Sequence, residues 1–406
     1  MGALRMGRKS WVAGVALLAS ALALAGRSLH AQELGEGGSG GRGLEYGLHS
    51  ELRYEDNIYY AERGEVDSWI AEARPWVRAT LYHRGNTYQA LYRLRREEFL
   101  DSGDDSHTDH ELQANLNHRF TPRHAVGVEA GYALLTERRG TGFSEEPNAL
   151  VDGPDDYRRA HADLVWFLGV PSAPLRFELS ARHRTLQFDS SYVGHTRDYR
   201  WNQLGALARY RIGARTDLLL EYRRAEVDYF DRPRDFSGRL LNLDAREDDY
   251  LAGVAWEMTA KTRGSVRIGE SRRNYRGEPY SDGTAHWEVE LEWRPRSYSR
   301  LALKTARASQ ETHGSGLFID SRRHELAWTH AWSGRLNSEL AGGYLEDDFA
   351  ASRRVDDRYF FRAQLGYEYA EWLRFRLGYQ YWENDSTLPV VDYRQNAFFL
   401  AAQLAL

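Results

Sequence analysis

The 406 residues carry 54 Lys and Arg against 59 Asp and Glu, 13% aromatic side chains, no cysteine, and a mean hydropathy of −0.66. Zero cysteine excludes a disulfide framework, thiolate catalysis and thiolate metal sites, and the acidic balance argues against a nucleic-acid surface. Beyond residue 31 no apolar run approaches the ~18 residues that a membrane-spanning helix needs, which leaves a soluble β protein or a barrel whose apolar residues alternate with polar ones.

The N-terminus places Arg5, Arg8 and Lys9 ahead of an apolar run over 11–25, then Ala31 before Gln32 and Glu33. That order predicts a secretory signal peptide over 1–31, cleaved after Ala31. Removing its four basic residues from 54 leaves 50 against 59 acidic, a balance of −9. Residues 32–43, with GEGGSGGR at 35–42, read as a flexible leader.

From residue 44 a period of two begins. Leu44, Tyr46, Leu48, Leu52 and Tyr54 fall on one face of an extended chain, and Glu45, His49, Glu51, Arg53 and Glu55 on the other. The same period predicts eighteen strands, the first nine at 44–55, 67–82, 87–98, 109–120, 123–136, 157–168, 174–188, 198–211 and 215–229. The second nine lie at 247–259, 262–275, 284–294, 298–309, 321–332, 335–346, 357–369, 372–383 and 393–406, with 262–275 and 298–309 the weakest patterns. The clearest alternation sets Ala285, Trp287, Val289, Leu291 and Trp293 against His286, Glu288, Glu290 and Glu292.

Connections alternate between short turns and longer loops rich in Gly, Asp, Glu, Arg and Ser, as in an outer-membrane barrel. Residues 44–406 are therefore expected to form one antiparallel transmembrane β-barrel of about eighteen strands, with a soluble β-sandwich as the alternative. An even count puts both termini on the short-turn, periplasmic side. Trp166, Trp256, Trp293, Trp332 and Trp372 all sit close to short turns, which predicts an aromatic girdle at the periplasmic interface. At the other end of the chain, Phe398, Leu400, Ala402, Leu404 and Leu406 share one face, so 392–406 is expected to close the barrel against 44–55. This stretch resembles the C-terminal insertion signal of bacterial outer-membrane barrels, although Leu406 stands where an aromatic residue is usual.

If lipid takes the apolar face, function belongs to the lumen. Parity turns Arg182, Arg184, Arg223, Arg267, Glu288, Glu290, Arg374 and Arg376 inward as candidate pore-lining residues. They can neutralise one another across the barrel, or set up a transverse field that sorts polar solutes. Trp76, Tyr82, Trp201 and Trp382 also face inward; the three tryptophans are candidates for stacking on sugar rings. Pairs such as His107/His110 lack a third ligand at fixed spacing, and the acidic loops at 101–105 and 151–156 lack an EF-hand series, so neither metal nor cofactor is expected. No Gly-x-Ser-x-Gly elbow, phosphate loop or His-Glu-x-x-His is present, and the reading is a non-enzyme with no catalytic residues assigned.

Tyr54 to Tyr60 read YEDNIYY. The segment resembles one near the mature N-terminus of an outer-membrane β-barrel porin family often encoded with exopolysaccharide or capsule export operons. The resemblance extends to the whole plan of signal, leader, motif and about eighteen strands. It implies a conduit or accessory for polysaccharide export in a Gram-negative outer membrane. The partners it implies are membrane lipid and lipopolysaccharide, the outer-membrane assembly machinery and polysaccharide export proteins. Physically, Asp56 and Asn57 are expected to cap the turn that opens the first external loop. Two further function classes stay open: a non-conducting scaffold whose loops bind a partner or glycan, and an outer-membrane hydrolase.

Overall fold

The structure is a computed structural model that describes residues 42–145, 153–189, 196–233, 240–259, 261–277, 281–312 and 314–406. The segments expected to be signal peptide and leader lie, but for the last two residues, outside the described residues. Eighteen strands follow in chain order: β1 (Arg42–Glu55), β2 (Ser68–His83), β3 (Asn86–Phe99), β4 (His107–Thr121), β5 (His124–Glu137) and β6 (Asp155–Leu168). Next come β7 (Leu175–Phe188), β8 (Tyr199–Gly213), β9 (Thr216–Tyr229), β10 (Ala245–Thr259), β11 (Thr262–Tyr275) and β12 (Ser281–Arg296). The last six are β13 (Ser299–Glu311), β14 (Phe318–Ala331), β15 (Leu336–Phe349), β16 (Val355–Ala370), β17 (Leu373–Ser386) and β18 (Tyr393–Ala405). Every strand read from the sequence is present to within a few residues, the weak 262–275 and 298–309 included.

Each strand pairs antiparallel with its sequence neighbours, and β18 returns to β1, Gly47 opposite Ala405 and Glu55 opposite Ala397. Reciprocal backbone bonds between Tyr46 and Leu406, 3.1 and 2.9 Å, carry the ladder to the last residue. A closed sheet has no edge, so no strand leaves its backbone polar groups unpaired in lipid.

The two rims differ. Turns such as 84–85, 122–123 and 214–215 have two residues, whereas 56–67, 138–154 and 230–244 run long. At 84–85 both residues have positive φ, Arg84 at 50° and Gly85 at 76°, the backbone of a turn that matches strand twist. Both ends of the barrel chain, Arg42 and Leu406, lie at the short-turn rim.

Period two becomes two surfaces. On the outside Leu204, Leu220 and Leu400 are 66%, 67% and 56% exposed, and they have counterparts on every part of the wall. A sandwich would bury such faces against each other, and a monomer in water rarely shows apolar patches beyond a few hundred Å². The sandwich alternative is thereby set aside. The five tryptophans named for a girdle stand near the short turns, Trp166, Trp293, Trp332 and Trp372 all more than two-fifths exposed and Trp256 half-buried.

Candidate functional site: a charged lumen crossed by a loop

The inward rows carry the charge, and register decides who meets whom. On one wall, β9 to β12, Arg223 donates to Glu288 at 2.6 Å and to Glu221 at 2.6 Å. Arg267 repeats the pattern from β11, 2.9 Å from Glu221 and 2.7 Å from Glu288. His286 completes the row between Glu288, 3.3 Å, and Asp249, 3.5 Å. Arg223, Glu288 and His286 are almost wholly buried. Such a lattice holds its shape because each charge is desolvated beside opposite ones, and each glutamate is shared by both arginines.

A second lattice lines β1 to β4. Arg53 reaches Glu51 at 2.8 Å, Glu55 at 2.7 Å and the fully buried Glu97 at 3.3 Å, while Arg95 pairs with Asp109 and Arg74 with Glu72. Between the two, Arg182 donates to Gln203 at 3.2 Å, and Arg184 lies 3.8 Å from Asp163 and 4.9 Å from the Trp201 ring.

All eight pore-lining candidates stand on inward rows, yet they do not form one constellation. Arg223, Arg267 and Glu288 meet. Glu290 faces Lys304 across the β12–β13 ladder. Arg376 donates to His49 at 3.2 Å. Arg374 sits by the turn rim, more than half exposed, with Glu368 at 3.5 Å. The three inward tryptophans already have neighbours: Trp76 lies against Gly47 and under Arg78 (5.3 Å), Trp201 under Arg184, and Trp382 stacks on Phe360 at 5.0 Å.

Sequence reasoning missed the loop end. Residues 138–145, between β5 and β6, do not follow the rim. Arg138 donates to Glu55 at 2.7 Å and to the Tyr60 hydroxyl at 3.1 Å; Arg139 binds Asp105 and Tyr59. Glu145 then pairs with Arg354, in the β15–β16 connection, at 2.8 Å. In ring order β5 and β16 are separated by β4, β3, β2, β1, β18 and β17, so the segment crosses the mouth. Gly140 permits this course: its φ is +78°, and a Cβ there would collide with the Tyr59 carbonyl.

Burial pushes the Asp105 carboxyl up, but hydrogen bonds from Arg139, Ser102 and Tyr59 outweigh it and hold the group below the ordinary aspartate value. Arg139 is shifted up, chiefly by its bond to Asp105. Apolar clusters reinforce this rim: Ile58 with Ile70 and Phe99, and Val227, Tyr229, Leu243 and Ala245 with Tyr275, Leu317, Phe318 and Ala350. The only sequence signal for the crossing was Arg-Arg-Gly inside a long loop.

The YEDNIYY segment is a seam. Asn57 caps its own turn as expected, its Oδ1 accepting from Ala61 N–H at 3.0 Å. Asp56 does not: its carboxylate accepts from both the backbone and the side-chain nitrogens of Asn396 on β18, each at 2.7 Å. Asn57 also donates to the Arg394 carbonyl at 3.0 Å. The motif therefore joins the first strand to the last, while Glu55, Tyr59 and Tyr60 receive the crossing segment.

A comparison with known families matches residues 45–406 to the family described as "Putative beta-barrel porin 2". The chain belongs to this family. It is a porin-like outer-membrane β-barrel, and its closed eighteen-stranded sheet is the architecture of solved outer-membrane porins. Among those, Pseudomonas aeruginosa OccK2 (OpdF) is 12% identical with a TM-score of 0.51, covering 89% of this chain and 98% of its own. Pseudomonas aeruginosa OpdK, solved with vanillate, is 13% identical with a TM-score of 0.49, covering 89% and 99%. Acinetobacter baumannii OccAB3 is 10% identical with a TM-score of 0.48, covering 90% and 99%. No curated protein matches the chain.

Proposed function

We propose that this member of the family conducts polar solutes across the outer membrane, through a lumen whose charges are arranged in neutralised rows and whose outer mouth is narrowed by residues 138–145. The short turns and both chain ends face the periplasm in this reading, and the long loops face the exterior. One observation carries it: apolar residues face lipid along the whole wall, while inward rows such as Glu221, Arg223, Arg267 and Glu288 present paired charge to the interior. Paired rows give a polar solute a wetted, structured path without a net charge that would trap ions of one sign. For cargo we put forward extracellular polysaccharide; the support is the resemblance of the YEDNIYY segment and the chain plan. Planar-bilayer recording of purified protein tests the channel: conductance steps are expected, with ion selectivity changed by Arg374→Glu with Arg376→Glu, and a silent bilayer from folded protein would refute it.

A scaffold that binds a glycan or protein through its loops is the second reading, favoured by the interloop bonds at 138–145. It predicts folded protein that binds at the cell surface and never conducts.

A further inference from the structure

A cavity of about 210 Å³ opens at the loop end, between the crossing segment, the β1–β2 loop and strands β16 to β18. Two of its walls are aromatic: the Tyr60 and Tyr393 rings meet edge to face, 5.0 Å between centroids. Gly140 lends bare backbone to another side. Its charged residues are ion-paired, although the Nε of Arg358 is buried with no acceptor. Asp356 and Glu145 share Arg354, at 2.6 and 2.8 Å, and Arg358 is bound to Asp347. An ionic ligand would meet charges that already have ion-pair partners.

Asn384 carries a second buried polar atom left open in the lining. It is 4% exposed, and its Nδ2 donates to the Val391 carbonyl at 2.7 Å, which fixes the orientation of the amide. Its Oδ1 is buried with no donor. A buried acceptor without a donor is costly, and a bound hydroxyl would relieve it. Two residues earlier on the same inward row, Trp382 stacks on Phe360, so aromatic surface continues from the cavity into the lumen.

We propose that this cavity is a subsite for a neutral pyranose ring, either a free sugar or one residue of a glycan. Flat ring faces suit the C–H face of a sugar, the free acceptor suits a hydroxyl, and the neutralised charges disfavour an ion. The volume falls below the ~300–1,000 Å³ of sites for drug-sized ligands, which limits the occupant to one ring. The inference deepens the channel reading and rests on it for placing the cavity on the solute's route.

The test titrates folded, detergent-solubilised protein with the methyl pyranosides of glucose, galactose, mannose and N-acetylglucosamine, read by saturation-transfer NMR and calorimetry, with bilayer conductance recorded in parallel. Millimolar binding of at least one glycoside is expected. Tyr393→Ala should weaken it about tenfold, the scale of one lost aromatic platform, while Tyr393→Phe retains it. Tyr210→Ala, on the outer face by the short turns, should change nothing, and heat-shifted gel mobility confirms that each variant is folded. Tighter binding of an oligosaccharide than of its own monomer assigns the site to a glycan chain; equal binding assigns it to free sugar. No glycoside binding by folded protein, equal binding by Tyr393→Ala, or a preference for glucuronate over the glucoside overturns the proposal. Conductance without sugar binding sinks the subsite and spares the channel; sugar binding without conductance does the reverse.

Discussion

The contact between Glu145 and Arg354 holds the far end of the crossing segment, and its removal should be visible one molecule at a time. The bond is 2.8 Å long between side chains that are 17% and 3% exposed, so solvent screens it little. Arg354 keeps Asp356 at 2.6 Å when Glu145 is lost, so no charge is stranded and the cost is close to one charge-assisted hydrogen bond. Such a bond contributes about 1.5–3 kcal/mol. If the segment exchanges between a docked and a released position, Glu145→Ala should shift that equilibrium toward release by roughly 10- to 150-fold. Glu145→Gln, which keeps an acceptor, should shift it less. Single-channel recording reads the change as longer open dwells and larger steps. Arg354→Ala is the contrasting variant: it strands Asp356, only 1% exposed, and should reduce stability as well as docking. Identical dwell times and step sizes in wild type and Glu145→Ala, from equally folded protein, would refute the idea that this pair restrains the mouth.

Further consequences concern the wall, the seam and the rim. Arg223→Met should cost about 1.5–3 kcal/mol in urea unfolding from lipid vesicles, because Glu288 loses its 2.6 Å partner and keeps Arg267 at 2.7 Å. Adding Glu288→Gln should recover about 1–3 kcal/mol of that as coupling, and strict additivity would show the two to be independent. Asp56→Ala removes two bonds to Asn396 and should cost about 2 kcal/mol, with slower insertion into vesicles; Asp56→Asn should fall between it and wild type. For Asp105 the sign follows from its depressed value. Its contribution is present above the ordinary aspartate pKa of about 3.9 and is lost as pH falls through the lower folded value. Hydrogen exchange over 138–145, corrected for intrinsic rate, should therefore accelerate only below about pH 4 in wild type and be fast throughout in Asp105→Ala.

The barrel was legible because one number, a period of two, encodes both the strand and its orientation. Parity assigned Arg223, Arg267 and Glu288 to the interior with no knowledge of their partners, since lipid and water sort alternate residues wherever a strand spans the membrane. Partnership was not legible. Arg223 and Glu288 are 65 residues apart on strands separated by two others, and only register and barrel curvature bring them together. The same limit applied to Trp76, Trp201 and Trp382, whose inward direction follows from parity while the residues already touching them do not. The crossing segment was beyond reach for a further reason: its course depends on a positive φ at Gly140 and on an ion pair between residues 209 apart, neither of which leaves a periodic trace.

The bonds between Asp56 and Asn396 link residues 340 apart, so they join parts of the chain synthesised almost at opposite ends. Until β18 arrives, β1 and β17 each present an open edge, and an intermediate of that kind invites pairing with the wrong chain. Contacts of such long sequence separation form late, because the entropy of closing the intervening loop must be met first. The seam thus works as a completeness check: a truncated barrel lacks Asn396 and cannot make this lock, and only a chain translated to its last strand can leave the assembly pathway closed.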